Sequence, residues 1–162
     1  MNMFELLKLL DDAKVEFVLV GGLAVALQGY QRVTMDVDVV LAMDAGNLRK
    51  FIEVARSHKL QPTIPVSLDS LAQPELIERW YQEKGMLAFS LRGSEAMATV
   101  MDVLVRPVVP YAELRRDAIL LDVGSIRIPV ASIGHLITMK TGTGRSKDMI
   151  DIEELRKIQA QP

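Results

Sequence analysis

The chain has 162 residues and a mass of 18.0 kDa, enough for one globular domain with one sizeable core. Hydrophobic residues make up 49% and charged residues 25%, which excludes an intrinsically disordered chain. A formal net charge of -2 and a pI near 5.7 argue against a dedicated non-specific nucleic-acid binder, and the absence of cysteine excludes thiol catalysis, disulfides and thiolate zinc sites.

The opening MNMFELLKLLDDAKVEF has no basic n-region and carries Glu5, Lys8, Asp11 and Asp12 where an export signal would stay apolar. Phe4, Leu6, Leu7, Leu9 and Leu10 instead suit one face of a short amphipathic helix. No run approaches the ~20 apolar residues of a membrane helix, so a cytoplasmic protein with no membrane partner is expected.

Val15 to Val20 is an apolar, β-rich run that ends at Gly21-Gly22, and LAVALQGY then has helix-forming residues up to Gly29. Met35 to Leu41 alternates as a strand, and Ala45 to His58 reads as an amphipathic helix. Gln61 to Ser70, with Pro62 and Pro65, reads as a loop, followed by a helix over Pro74 to Lys84 with its proline in the first turn. Met86 to Leu91 and Thr99 to Val105 read as strands, Tyr111 to Arg116 as a short helix, and Ile119–Val123 with Ile126–Val130 as a hairpin across Gly124-Ser125. An apolar helix over Ala131 to Lys140, a Gly-rich link and a helix from about Lys147 to Ile158 follow. The class expected is α+β, a mixed β-sheet with helices packed on it, as one domain over residues 1–162.

Asp36 and Asp38 interrupt an otherwise apolar strand, and the period of two sends both carboxylates to one face. Their mutual repulsion is relieved by a divalent cation, and Mg²⁺ prefers carboxylate oxygens. Asp102, in TVMDVLV, has the same setting. If its strand lies beside the first, three carboxylates converge, and such a cluster can hold two metal ions about 3.5–4 Å apart for phosphoryl or nucleotidyl transfer. The bland alternative is a solvated strand face for the pair and a surface acid for Asp102. Gly21-Gly22, between a strand and a helix, lets a backbone approach phosphate oxygens, or is only a tight turn. Lys140, Arg145 and Lys147 cluster around Gly142 and Gly144. They either reach a ligand or form a linker and a solvated helix start, with Ser146 as N-cap and Lys147 pairing with Asp151. His58 and His135 lack metal-ligand spacing and read as structural or exposed, and Trp80 and Tyr81 as packing residues.

Together, GG-x(13)-DVD from Gly21, Gly22, Asp36 and Asp38, with Asp102 later, resembles the DNA polymerase β-type nucleotidyltransferase superfamily. GGLAVALQGYQRVTMDVDVVL is similar to the small bacterial branch of minimal and abortive-infection-type nucleotidyltransferases, with Gly29, Arg32 and Thr34 matching and Gln28 standing where many members have histidine. LITMKTGTGRSKDMIDIEEL resembles that branch's ending, so the likeness covers about Val15 to Leu155. It implies a polymerase β palm-like fold and Mg²⁺-dependent transfer of a nucleoside monophosphate from a nucleoside triphosphate such as ATP to a hydroxyl, with release of pyrophosphate. Asp36, Asp38 and Asp102 would be the catalytic carboxylates and hold two Mg²⁺ ions. Gly21, Gly22, Arg32, Thr34, Lys140, Arg145 and Lys147 would contact the nucleotide. The acceptor is a tRNA, a protein hydroxyl or a small molecule. The alternative is a weakly active or inactive module of the same fold that serves a partner protein, such as a toxin–antitoxin component.

Overall fold

The structure is a computed structural model that describes residues 1–162. Its elements are α1 (Met3–Asp12), β1 (Phe17–Val20), α2 (Gly21–Leu27), β2 (Asp36–Leu41), α3 (Ala45–Ser57), β3 (Gln61–Pro62), a 3₁₀ turn (Leu68–Ala72), α4 (Pro74–Lys84), β4 (Ala88–Arg92), β5 (Val100–Leu104), α5 (Tyr111–Asp117), β6 (Ile119–Val123), β7 (Ile126–Val130), α6 (Ile133–Lys140) and α7 (Ser146–Gln159). The seven strands make one mixed sheet in the order β3-β4-β5-β2-β1-β7-β6. β2 runs parallel to β5 and β1 parallel to β7; the remaining neighbours are antiparallel. No helix is long and apolar enough to cross a membrane.

The sheet's burial follows directly from residue pattern. β1 (FVLV) has no polar position and is buried along its whole length between β2 and β7 in the interior of the sheet. In β2, β4 and β5 the apolar members of each alternation (Val37, Val39, Phe89, Leu91, Met101 and Val103) are at most 1% exposed. The opposite face of the same strands carries Asp36, Asp38, Ser90 and Asp102, all partly exposed. Thirty-five buried apolar residues form one continuous cluster. α2 packs on β1 and β2, α6 packs on α2, and α7 packs on α6, so the last two helices are stacked outward from α2.

Several local expectations change, among them the strands expected from Val15 and Met86, which start at Phe17 and Ala88. The Gln61–Ser70 stretch holds the edge strand β3 and leads into the 3₁₀ turn, because Pro62 is tolerated at a sheet edge where its missing N–H is not needed. The strand expected from Met35 starts at Asp36. The helix expected from Ala131 starts at Ile133, with Ser132 Oγ accepting from the His135 backbone N–H at 3.1 Å.

At the far end of β1 and β2 from the acids, buried Asn47 acts as a clip. Its Oδ1 accepts from the Glu16 N–H at 2.7 Å, and its Nδ2 donates to the carbonyls of Glu16 at 2.9 Å and Ala42 at 2.8 Å. The Glu16 N–H and the Ala42 carbonyl are groups that the ends of the two strands would otherwise leave unpaired, while the Glu16 carbonyl also accepts from the Ala42 N–H at 3.1 Å. Asn47→Ala is expected to lower unfolding free energy by about 2–3 kcal/mol in urea titrations. A loss below about 0.5 kcal/mol would mean that water replaces the amide and that the clip is dispensable.

Candidate active site

The sheet register brings the acids together. In the parallel pair β2–β5, Asp38 stands opposite Asp102 and Asp36 opposite Val100. Val20 stands opposite Asp38 on β1, and Ser90 opposite Asp102 on β4. A single rung therefore reads Val20, Asp38, Asp102, Ser90 across four strands spaced about 4.8 Å apart, with Asp36 two residues along on the same face. Ser90 Oγ donates a hydrogen bond to Asp102 Oδ1.

Burial, and then the negative charge of Asp102, push the Asp36 carboxyl above its usual range, while Lys147 pulls the other way. Asp38 is pushed up to about 7, by burial first, then by the charges of Asp102 and Asp36 and a hydrogen bond with Asp102, against the opposing charge of Lys140. The three side chains do not close into a ready-made cage: no three Asp, Glu or His groups converge at metal-ligating distance. The donor set nevertheless suits a hard divalent cation, since it offers only carboxylate oxygens, on one face, with too little positive charge among them.

The double glycine has two separate causes. Gly21 begins α2 at φ +72°, a left-handed conformation, and a Cβ there would overlap the Asp38 carboxylate. A Cβ on Gly22 would stand 2.8 Å from Arg32 Nη1 and 2.9 Å from Thr34 Oγ1. The turn is thus tight, as a bland reading of it required, and it is also pressed against the acids on one side and the Arg32–Thr34 segment on the other. Along that segment Arg32, Thr34 and Asp36 are partly covered, while Val33 and Met35 remain 84% and 71% exposed at the lip of the cleft.

A cationic wall faces the acids. Asp148 and Asp151 of α7 are 1% exposed. Lys140 Nζ lies 3.2 Å from Asp148 Oδ1 and 3.0 Å from Asp151 Oδ2, Arg32 Nη1 lies 2.9 Å from Asp151 Oδ2, and Arg145 Nε lies 2.7 Å from Asp148 Oδ2. Thr143 Oγ1 also donates to Asp148 at 2.7 Å. Burial works to raise the Asp148 carboxyl, but the Thr143, Lys140 and Arg145 contacts outweigh it and hold it below the usual carboxylate range. The pairing expected between Lys147 and Asp151 does not form, because Asp151 turns inward to Lys140 and Arg32. Ser146 is the first helical residue rather than the cap, which is Arg145. Lys147 is exposed and makes no ion pair.

A cleft of about 400 Å³ is lined by Gly21, Gly22, Arg32, Thr34, Asp36, Asp38, Asp102, Lys140, Arg145 and Lys147, so the structure brings every candidate side chain to one place. Four cations against two buried carboxylates leave net positive charge on the wall, opposite three acids on the floor. Asp148, Asp151 and Ser90 complete the arrangement and were not legible as site residues. Gln28 lies apart from the cleft, where its Nε2 donates to the Ala131 carbonyl at 2.8 Å and ties α2 to the start of α6.

Two outcomes follow from these contacts. Lys140→Met leaves two buried aspartates short of a partner and is expected to cost about 3–5 kcal/mol of stability, whereas Lys147→Met changes it by less than about 0.5 kcal/mol. Equal effects in thermal or urea unfolding would show that the buried pairs are not what holds the wall. Because the folded Asp38 carboxyl binds its proton more tightly than the unfolded one, its contribution to stability in metal-free buffer falls as pH rises from about 4 to about 7. Asp38→Asn is therefore expected to be more stable than wild type by on the order of 1–3 kcal/mol at pH 8 in EDTA, and to lose that advantage at pH 4. A variant that is less stable at both pH values would contradict the strained-carboxylate account.

The chain as a whole has relatives of known family and fold. The model of a family described as "nucleotidyltransferase of unknown function (DUF6036)" matches residues 1–160. No curated protein matches the sequence significantly. Among solved structures, the chain is similar to the lincosamide antibiotic adenylyltransferase LnuA, crystallised with lincomycin bound, at TM-score 0.63 and 18% identity over 96% of this chain and 95% of that one. It is also similar to ANT(2")-Ia in complex with adenylyl-2"-tobramycin, at TM-score 0.53 and 10% identity over 95% and 90%. A third, TM1012 from Thermotoga maritima, described as a nucleotidyltransferase, gives TM-score 0.53 and 18% identity over 97% and 94%. These likenesses carry the nucleotidyltransferase fold. The family match covers nearly the whole chain, and the chain accordingly belongs to the DUF6036 nucleotidyltransferase family, whose enzymes transfer nucleotidyl groups.

Proposed function

We propose that residues 1–162 act as one domain that transfers a nucleoside monophosphate from a nucleoside triphosphate to a hydroxyl acceptor, with Mg²⁺ held by Asp36, Asp38 and Asp102. The observation that carries this reading is the juxtaposition, in one cleft, of three carboxylates on a sheet face and a cationic wall built on α7. Bound Mg²⁺ supplies charge neutralisation for the triphosphate and lowers the cost of placing a hydroxyl oxygen beside a phosphate.

The chain's own residues then divide the work. Gly21 and Gly22 let the start of α2 approach the phosphates without side-chain obstruction. Lys147, which has no carboxylate partner, and the exposed guanidinium of Arg145, which meets Asp148 through Nε alone, receive the triphosphate. Arg32 and Lys140 shape the wall and add to its field while anchored to Asp148 and Asp151. The acceptor oxygen forms a bond to the α-phosphorus as the bond to the β-phosphate oxygen breaks in line, and pyrophosphate leaves. The hydroxyl proton passes to the Asp102 carboxylate and then to water. Positioning and electrostatic stabilisation supply most of the rate enhancement in such a transfer.

For the acceptor, the cleft favours a compact hydroxyl compound over a polyanion such as tRNA. Its volume is of small-molecule size, its reacting end is acidic, and three of its four cations are anchored to buried aspartates. Lincomycin, bound in LnuA, and tobramycin, adenylylated in the ANT(2")-Ia complex, are acceptor chemistries of this size.

The test is a transfer assay with the four α-³²P-labelled nucleoside triphosphates and Mg²⁺, offering lincomycin, tobramycin, total tRNA and host protein as acceptors. Label is expected to move to an acceptor with wild-type protein, and to fall at least 10²-fold with Asp36→Ala or Asp102→Asn. Transfer that survives either substitution would overturn the assignment. Nucleotide binding without transfer to any acceptor would favour the partner-module reading.

A further inference from the structure

We propose that Ser90 is a positioning residue for Asp102: its hydroxyl fixes the carboxylate so that one oxygen stays turned toward the cleft as a ligand for a divalent cation. The inference rests on the reading of Asp36, Asp38 and Asp102 as the cation-binding acids.

Ser90 and Asp102 are directly opposed partners on β4 and β5, so their side chains rise from the same sheet face at the shortest cross-strand separation. The Ser90 hydroxyl donates to Asp102 Oδ1. On the other side of Asp102, Asp38 is the opposed partner on β2. Asp102 thus sits between a neutral donor and a second carboxylate. Without the donor, no other group of the rung holds the Asp102 carboxylate against the negative charge of Asp38, and its oxygens are not kept turned toward the cleft. With the donor, Oδ1 is committed to β4 and Oδ2 is left for the cleft.

The chemistry of the donor matters as much as its place. A lysine or arginine at position 90 would also orient Asp102, but its charge would compete with a cation for the same carboxylate. A hydroxyl orients the group and adds no charge. Ala88, the preceding β4 residue on this face, has no donor, and the rung carries no other hydroxyl. Partners that orient metal ligands in this way are typically worth 10–100-fold in metal affinity.

The experiment measures Mn²⁺ binding by electron paramagnetic resonance, with Mn²⁺ alone and with α,β-methylene-ATP, for wild type, Ser90→Ala, Ser90→Val, Ser90→Thr and Asp36→Ala. Thr and Val have nearly the same shape and differ in the hydroxyl, and circular dichroism establishes that each variant is folded. Ser90→Ala and Ser90→Val are expected to weaken Mn²⁺ binding about 10-fold or more, while Ser90→Thr stays within about 3-fold of wild type. Wild-type affinity in the folded Ala or Val variant would overturn the proposal, as would a Thr variant as weak as the Val variant, because side-chain size would then be the cause. Wild-type binding no tighter than that of Asp36→Ala would instead overturn the underlying reading of the three acids.

Discussion

Asp38 and Asp102 face each other on parallel strands about 4.8 Å apart, with Asp36 beside them, and no cation of the chain is paired with any of the three. Such an arrangement opposes folding, since burial first and then the charges of Asp102 and Asp36 push the Asp38 carboxyl up to about 7. The reverse face of the same strands supplies the compensation. Val37, Val39, Met101, Val103, Phe89 and Leu91 are essentially inaccessible, and each contributes roughly 1.5–3 kcal/mol of burial. The sum exceeds the few kcal/mol at stake among the carboxylates, so the hydrophobic face fixes the register and the polar face must accept it. A slip of one residue would send the acids into the core and is thereby excluded.

The cationic wall solves the opposite problem by the opposite means. Lys140, Arg32 and Arg145 are long side chains with substantial rotamer freedom, and a wall of free cations facing one another would repel. Burying Asp148 and Asp151 on one face of α7 gives these cations fixed contacts without cancelling all their charge. The cost is borne by the helix. With two aspartates and Leu155 turned inward, Met149 and Ile150 are left outside, and α7 loses the ordinary apolar stripe of a surface helix.

That inversion explains what the sequence could and could not reveal. Asp36 and Asp38 stood out because a strand's period of two is a local property, and two acids in an apolar alternation break it visibly. Gly21-Gly22 was legible for the same reason, lying at a junction between β-rich and helix-forming residues. Asp102 was legible as an acid in a strand, but its partner strand was not, since register across the 58 residues between Leu41 and Val100 is decided by the packed sheet. Ser90 sits in AFSLR, where a serine on the less buried face of a strand carries no signal by itself. Asp148 and Asp151 were misleading. Helical spacing offers Asp151 a local pair with Lys147 worth a few tenths of a kcal/mol, whereas buried contacts to Lys140 and Arg32 from other elements are far stronger.

Asp38 joins the two halves of the site. It belongs to the acid rung through Asp102, it feels the wall through the charge of Lys140, and it is the group that a side chain at Gly21 would strike. Its position also sets the distance between the start of α2 and the sheet, because β1 passes from Val20, its rung partner, straight into Gly21 with no intervening loop. A shift of β2 against β1 would therefore move the acids, the glycine turn and the Arg32–Thr34 segment relative to one another in a single step. The Asn47 clip at the opposite end of the same two strands resists that shift, so a residue remote from the cleft helps to hold its geometry.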